Sequence, residues 1–169
     1  KIRALIEDLN LTFKLQYNAQ PLRRTAVSMG AWLRQSVADF CDSLGENYSV
    51  GLQIREPAGQ TVLEADRELL TRALDNLLNN SVRHNPKPVN ITVHTRQAGR
   101  RFCLTVADDG TGYPAAVLAA LNAAEPAENA PHILGLYVVQ QIAAAHGGRA
   151  VFGQNTPHGA KAVVYLPLG

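Results

Sequence analysis

Apolar positions along the chain switch between a helical period and a period of two. In KIRALIEDLNLTFKLQ, residues 1 to 16, Ile2, Ile6, Leu9 and Phe13 recur at spacings of four, three and four, one apolar stripe down a helix. About 15 residues is the margin for an isolated helix in water, so this stripe is expected to pack on another helix or another chain. NAQP breaks the pattern, and LRRTAVSM reads as a first strand. From Gly30, the positions of Trp32, Leu33, Val37, Phe40, Cys41 and Leu44 predict an amphipathic helix that stops near Gly45. VGLQIRE and TVLEA follow as short strands. Asp66 is placed to cap a second helix that runs to His84, where NPKP ends it. NITVHTRQ and RFCLTVAD alternate on either side of a turn at Gln97 to Arg100, which predicts a hairpin. The stretch from Pro114 to Pro131 is rich in small residues and weakly patterned, and reads as a mobile loop. ILGLYVVQQIAAAHGG predicts a third helix ending at a glycine pair, and RAVFGQ with AKAVVYLPL predicts a closing hairpin. The order predicts an α+β domain with helices layered on one face of a mixed sheet.

The second helix carries an oddity. Leu70, Ala73, Leu74, Leu77, Leu78 and Val82 cover its apolar side, while Asn76, Asn80 and Arg83 fall within about 60° of each other on the flank. His84 sits where flank and apolar side meet. A solvated face is the plain reading, but asparagine is a poor helix former because its amide competes for backbone hydrogen bonds. Two amide oxygens one turn apart, beside a guanidinium, can instead coordinate Mg²⁺ and the phosphates it carries. Asn79, about 100° from Asn80, points elsewhere.

Composition narrows the class. The 169 residues, 46% hydrophobic, suffice for one globular domain with a core. A formal charge of +2 is too small for a whole-chain footprint on nucleic acid, so any anionic partner is recognised locally. No apolar run approaches the roughly 20 residues of a membrane-spanning helix, and no signal-peptide pattern opens the chain, which is expected to be soluble as given. Cys41 and Cys103 form no Cys-x-x-Cys and no Cys/His cluster, which argues for a reducing compartment, the cytoplasm.

Two further stretches carry chemistry. In VADDGTGYP a strand delivers Asp108 and Asp109 to its end, where Gly110 and Gly112 let the backbone turn close to a ligand. A buried carboxylate there could accept a hydrogen bond from an exocyclic amine such as that of adenine. In PHILGLYVV a helix begins beside a glycine and offers free backbone amides to phosphate. In this order, separated by a hairpin and a loop, NLLNNSVRHNP, DDGTGYP and ILGLYVVQQIAAAHGG resemble the N, G1 and G2 boxes of the histidine kinase ATP-binding domain, the Bergerat fold shared with gyrase, a heat-shock chaperone and mismatch-repair ATPases. HGAKAVVYLPL also resembles that family's last strand. IEDLNLTFKLQ resembles the end of the second helix of a kinase dimerisation and phosphotransfer hairpin, which favours sensor kinases within the superfamily.

The resemblance implies a two-layer α/β sandwich whose mixed sheet is covered on one face by three helices. Residues 1–16 would be the end of the dimerisation helix, 17–21 a linker and 22–169 the catalytic domain. It implies that Asn80 ligates Mg²⁺, with Asn76 supporting metal and phosphates, that Arg83 reaches a phosphate and that His84 lies against adenine. Asp108 would bind the adenine amino group, Gly110 and Gly112 would shape the turn over the base, and Gly135 and Leu136 would lie where lid meets phosphates. The implied enzyme is a protein-histidine kinase with ATP and Mg²⁺, homodimeric at full length, passing phosphate through an upstream hairpin to a response regulator. The implied home is the cytoplasm, with the full-length protein anchored in the membrane. Three features depart from the family pattern. Ile133 stands where the first G2 glycine is expected, no phenylalanine-containing F box lies between Pro114 and Pro131, and none of His84, His94, His132, His146 or His158 sits in a His-Glu-Leu-Arg context. The acceptor histidine is therefore expected upstream of Lys1, on a larger protein. Two alternatives stand beside this reading: a non-catalytic nucleotide-binding module with a decayed G2 box, and another Bergerat ATPase or a serine kinase acting on an anti-sigma partner.

Overall fold

A computed structural model describes residues 2–16, 21–46, 48–85, 88–122 and 133–168. The N-terminal stripe forms α1 (Ile2–Gln16), followed by β1 (Thr25–Ser28), α2 (Met29–Asp42) and β2 (Ser49–Ile54). A 3₁₀ turn at Ala58–Gln60 leads to β3 (Val62–Ala65) and α3 (Arg67–Arg83). The predicted hairpin is β4 (Asn90–Ala98) and β5 (Arg101–Asp108); α4 (Ala115–Asn122), α5 (Leu134–Ala145), β6 (Arg149–Gln154) and β7 (Ala160–Pro167) complete the chain. The linker expected at 17–21 falls mostly outside the described residues, as do His132 and the second half of the expected loop.

Five strands form one mixed sheet in the order β2-β4-β5-β7-β6, with β2 parallel to β4 and every other pair antiparallel. Period-two alternation sorts its side chains. Ile91, Val93, Phe102, Leu104, Val106, Ala162, Val164 and Leu166 join the core under α2, α3 and α5, and the residues between them face the other way. The helices supply Trp32, Leu33, Leu74, Leu77, Leu78, Val138, Val139 and Ile142, each nearly inaccessible to solvent. Trp32 keeps its indole N–H satisfied by donating to the Thr71 hydroxyl at 2.9 Å.

The structure departs from expectation in four places. β1 and β3 pair only with each other, antiparallel, in a separate two-stranded ribbon. Part of the expected loop is helical: Pro114 accepts the first turn's N–H bonds from Val117 and Leu118, and Val117 and Leu121 bury one face of α4. Alanine is the best helix former, so a run of small residues reads as loop only when its two anchors are overlooked. Cys41 is exposed rather than part of the α2 stripe. On α1, Ile6 and Leu9 are 54% and 60% exposed, while Thr12 and Leu15 are buried and Leu11 is partly covered; the side chains of Ile2 and Phe13 lie outside those described. An ion pair from Asp8 to Arg72 ties it to α3.

Asp66 is the predicted cap and more. Its carboxylate accepts from Leu69 N–H at 3.1 Å and Arg23 N–H at 3.0 Å, while its own N–H donates to His146 Nε2 at 3.0 Å. His146 therefore carries its proton on Nδ1, which donates to the Ile142 carbonyl at 2.8 Å. Asp66→Ala is expected to cost about 2 kcal/mol in urea denaturation, because a cap and a buried acceptor are lost together, and Asp66→Asn less. Burial, the largest cause, holds the His146 imidazole below its ordinary 6.5; Arg24 adds to this, while the Ile142 bond and Asp66 oppose it. A base lowered in the folded state stabilises fully above the unfolded value, and that contribution is lost as pH falls below it, because the unfolded chain takes up the proton the native state refuses. His94, lowered by burial and by Arg55, Lys161 and Arg96, acts in the same direction. Urea midpoints are expected to drop from about pH 7.5 to about pH 5.5, and His146→Gln to remove part of the drop.

Candidate functional site

Asp108 ends the central strand β5 and is 3% exposed. One carboxylate oxygen accepts from Gly110 N–H at 2.9 Å and Ala160 N–H at 3.1 Å; the other accepts from the Ser81 hydroxyl at 2.8 Å. Three of its roughly four acceptor positions are thus occupied by protein. Its neighbour Asp109 is exposed and turned away, bonded by both the backbone and side-chain N–H groups of Asn90, whose donation holds the carboxyl below the usual range. Only the first of the two aspartates faces a cavity.

That cavity, about 220 Å³, is lined by Asn80, His84, Asn85, Asp108, Thr111, Gly112, Tyr113, Pro114, Val117, Leu136 and Ala160. A larger one, about 930 Å³, shares Asn80, His84 and Leu136 with it and adds Asn76, Arg83 and Gly135, with Glu7, Asp8 and Leu11 of α1 on its far wall. The two make one cleft: a small chamber with a carboxylate in its wall, opening onto a wide polar chamber along the asparagine flank of α3. Eight of the nine residues singled out from the sequence line it. The exception is Gly110, which shapes the turn from behind, its α-carbon against the Asn85 carboxamide. Gly112, at φ +83°, does line the small chamber, with Gln154 packed where a side chain would stand.

Asn76 and Asn80 differ in their commitments. Asn76 Nδ2 donates to the Gly135 carbonyl at 3.0 Å, which ties α3 to the first turn of α5, and its amide oxygen has no partner among the described residues. Asn80 lies at the junction of the chambers. Asn79, expected to point elsewhere, is exposed but also lines the wide chamber. Arg83 and His84 are exposed at its rim. Ile133, 2% exposed, is driven into the core, so the start of α5 presents an apolar anchor where the family pattern has a glycine. Among the described residues no group of three or more His, Cys, Asp or Glu is arranged to hold a metal ion. Any cation here would rely on an amide oxygen and on the oxygens of a bound anion.

Three contributors escaped the sequence reading. Asn85 donates to the Ser81 carbonyl at 2.7 Å and accepts from Thr111 N–H at 3.0 Å, joining the end of α3 to the glycine turn. Ser81 stands on the apolar side of the helix and holds Asp108. Gln154 bonds Tyr113 twice, accepting from its N–H at 3.0 Å and donating to its carbonyl at 2.6 Å. Burial pushes the Tyr113 hydroxyl far up from its ordinary value, with Asp108 adding to the effect, so this phenol is neutral. A polar residue inside an apolar helical stripe was the available signal for Ser81; nothing local marks Gln154.

The sandwich, the asparagine helix and the aspartate–glycine turn around one cleft define a nucleotide-binding class of domain. The chain belongs to the family of histidine kinase-, DNA gyrase B- and HSP90-like ATPases, whose model matches residues 65–169. It is 35% identical over 109 residues to the sensor histidine kinase YvrG of Bacillus subtilis, an overlap covering 64% of this chain and 18% of that protein. With the alginate biosynthesis sensor protein KinB of Pseudomonas aeruginosa it shares 29% identity over 169 residues, covering 97% of this chain and 28% of that one. The chain thus spans less than a third of these relatives. The fold is similar to full-length ShkA, solved in complex with AMPPNP, with a TM-score of 0.77 and 23% identity over 98% of this chain and 35% of that one.

Gly110→Ala is expected to destabilise the protein by about 2 kcal/mol, because the new methyl group displaces Asn85 and strands the Ser81 carbonyl and Thr111 N–H. Gly153→Ala, which meets nothing within 4 Å, is expected to stay within about 0.5 kcal/mol in the same urea titration.

Proposed function

We propose that this chain is the ATP-binding catalytic part of a sensor histidine kinase. The observation that carries the reading is the continuity of the cleft, with Asp108 in the small chamber and Asn76, Asn80, Arg83 and Gly135 around the wide one. The adenine amino group would donate to the remaining acceptor position of Asp108, with Leu136, Val117 and the His84 ring beside the base. The triphosphate would lie along Asn80 and Arg83. Five carboxylates, Glu7, Asp8, Asp66, Glu68 and Asp75, line the wide chamber against three arginines. Burial, and secondarily Asp39, holds the Asp75 carboxyl above the usual range. A polyanion enters such a chamber more readily with a neutralising cation, and the amide oxygens of Asn80 and Asn76 fit Mg²⁺, which takes most of its ligands from phosphate and water. Mg²⁺, when bound, would neutralise charge developing on the phosphate oxygens. The protein's own part is positioning: Arg83 orients the terminal phosphate, and the Asn76 bond to Gly135 fixes the wall against which it lies.

In the transfer, the bond from the γ-phosphorus to the bridging oxygen breaks, a bond to an imidazole nitrogen of an upstream hairpin forms, and ADP leaves. The phosphate would pass on to a response regulator. The exposed Ile6 and Leu9 of α1 support a missing helical partner, in this reading the rest of the hairpin and its copy in a homodimer. No helix among the described residues is long and apolar enough to cross a membrane. We place the domain in the cytoplasm and assign any anchor to other parts of the full-length protein. The buried Ile133 favours a second reading, a nucleotide-binding module without transfer.

Asn80→Ala is expected to weaken Mg-ATP binding at least about tenfold in calorimetric titration, and Asp108→Asn to weaken ATP and ADP alike. Tight, unchanged binding by Asn80→Ala would contradict the assignment. Labelled ATP with a supplied acceptor hairpin is expected to phosphorylate its histidine; binding without transfer selects the second reading.

A further inference from the structure

The helix-free face of the five-stranded sheet has an unusual charge distribution. Across its five strands the only acidic residue is Asp108, which faces the helices. The basic side chains Arg96, Arg101, Arg149 and Lys161 all lie on the open face and are exposed. Arg55 joins them, because its N–H continues the β2–β4 ladder by donating to the Thr95 carbonyl. Register places Arg55, Arg96, Cys103, Tyr165 and Arg149 in one row across the sheet. At about 4.8 Å per strand the row is about 19 Å long. Arg101 and Arg149 both lie against the Tyr165 ring, at 4.8 and 5.3 Å from its centroid. This contact fixes two flexible side chains with their N–H edges free, which lowers the entropy lost when they grip an oxyanion. The field is felt locally: Arg55, Lys161 and Arg96 reinforce burial in lowering His94 on the same face.

We propose that this open face is a docking surface for an acidic polypeptide segment of a partner protein, held along the row of Arg55, Arg96 and Arg149 with Arg101 beside it. A line of guanidinium forks suits carboxylates projecting from an extended chain, whose alternate side chains recur about every 6.8 Å. A single-stranded nucleic acid would want bare aromatic faces for its bases, and both guanidiniums already sit on Tyr165. An anionic bilayer would want apolar side chains to insert, and Val151 is the one large exposed hydrophobic residue on this face among the described residues. The surface lies across the sheet from the nucleotide cleft, so an occupant there does not block that site.

The test uses the chain as it stands and a labelled oligo-glutamate peptide, with a glycine-serine peptide, oligo-dT and phosphatidylglycerol vesicles as competing probes. Oligo-glutamate is expected to bind, more weakly as salt rises, and Arg96→Glu with Arg149→Glu to weaken it about tenfold or more, since like charges in a contact are strongly unfavourable. Arg34→Glu, on the exposed side of α2, is expected to leave it unchanged. ATP affinity is expected to be the same in all variants. If charge reversal unfolds the chain, Arg96→Gln with Arg149→Gln is expected to show the loss instead. No binding of oligo-glutamate, an equal loss in Arg34→Glu, or preferential binding of oligo-dT or vesicles overturns the proposal.

Discussion

A carboxylate held in the interior has to be surrounded by donors, and Asp108 sets the geometry of this domain through that requirement. Without them, its burial would cost several kcal/mol. The donors come from the last turns of α3, from the glycine turn and from the first residue of β7. Its backbone carbonyl accepts from Asn155 at 2.9 Å, which fixes the β6–β7 connection as well. A side chain at Gly159 would collide with that same carbonyl. Three stretches distant in sequence therefore have one mutually consistent arrangement, and the cleft lies where they meet.

The sheet separates two electrostatic environments that a net charge of +2 conceals. Acidic and basic residues are mixed on the helical side, six of each in α1, α2 and α3, whereas the five strands present only basic charges to the open face. Charges on opposite sides of a core about 10 Å thick interact weakly through it, so each set dominates what approaches its own surface. The two faces can therefore select different ligands.

Local rules made much of this legible. Asp66 capping α3, the leucine stripe of that helix and the two hairpins follow from side-chain period and cap chemistry, because those signals are contained within one element. The asparagine flank was readable because an unfavourable residue in a helix needs a reason, and Asp108 because glycines follow it. What escaped depends on contacts between elements. β1 and β3 read as ordinary strands, and nothing in either says that they pair apart from the main sheet. Ser81, Asn85 and Gln154 are small or common polar residues whose partners lie 27, 26 and 41 positions away. The α1 stripe was seen, but the burial of Thr12 and Leu15 depends on the surface of α5, which no periodicity in α1 encodes.

The same dependence on contacts couples the helical stub to the cleft. Asn76 joins α3 to the carbonyl of Gly135 at the start of α5, and α1 lies against α5 while pairing Asp8 with Arg72 of α3. Glu7, Asp8 and Leu11 form part of the wall of the wide chamber. A close-packed interior transmits displacement rather than absorbing it. A partner that draws α1 away through the exposed Ile6 and Leu9 removes one wall of the chamber. Cleft occupancy and the position of α1 are thus linked by direct contact, and whatever differential each imposes on the other is reciprocal by thermodynamic necessity.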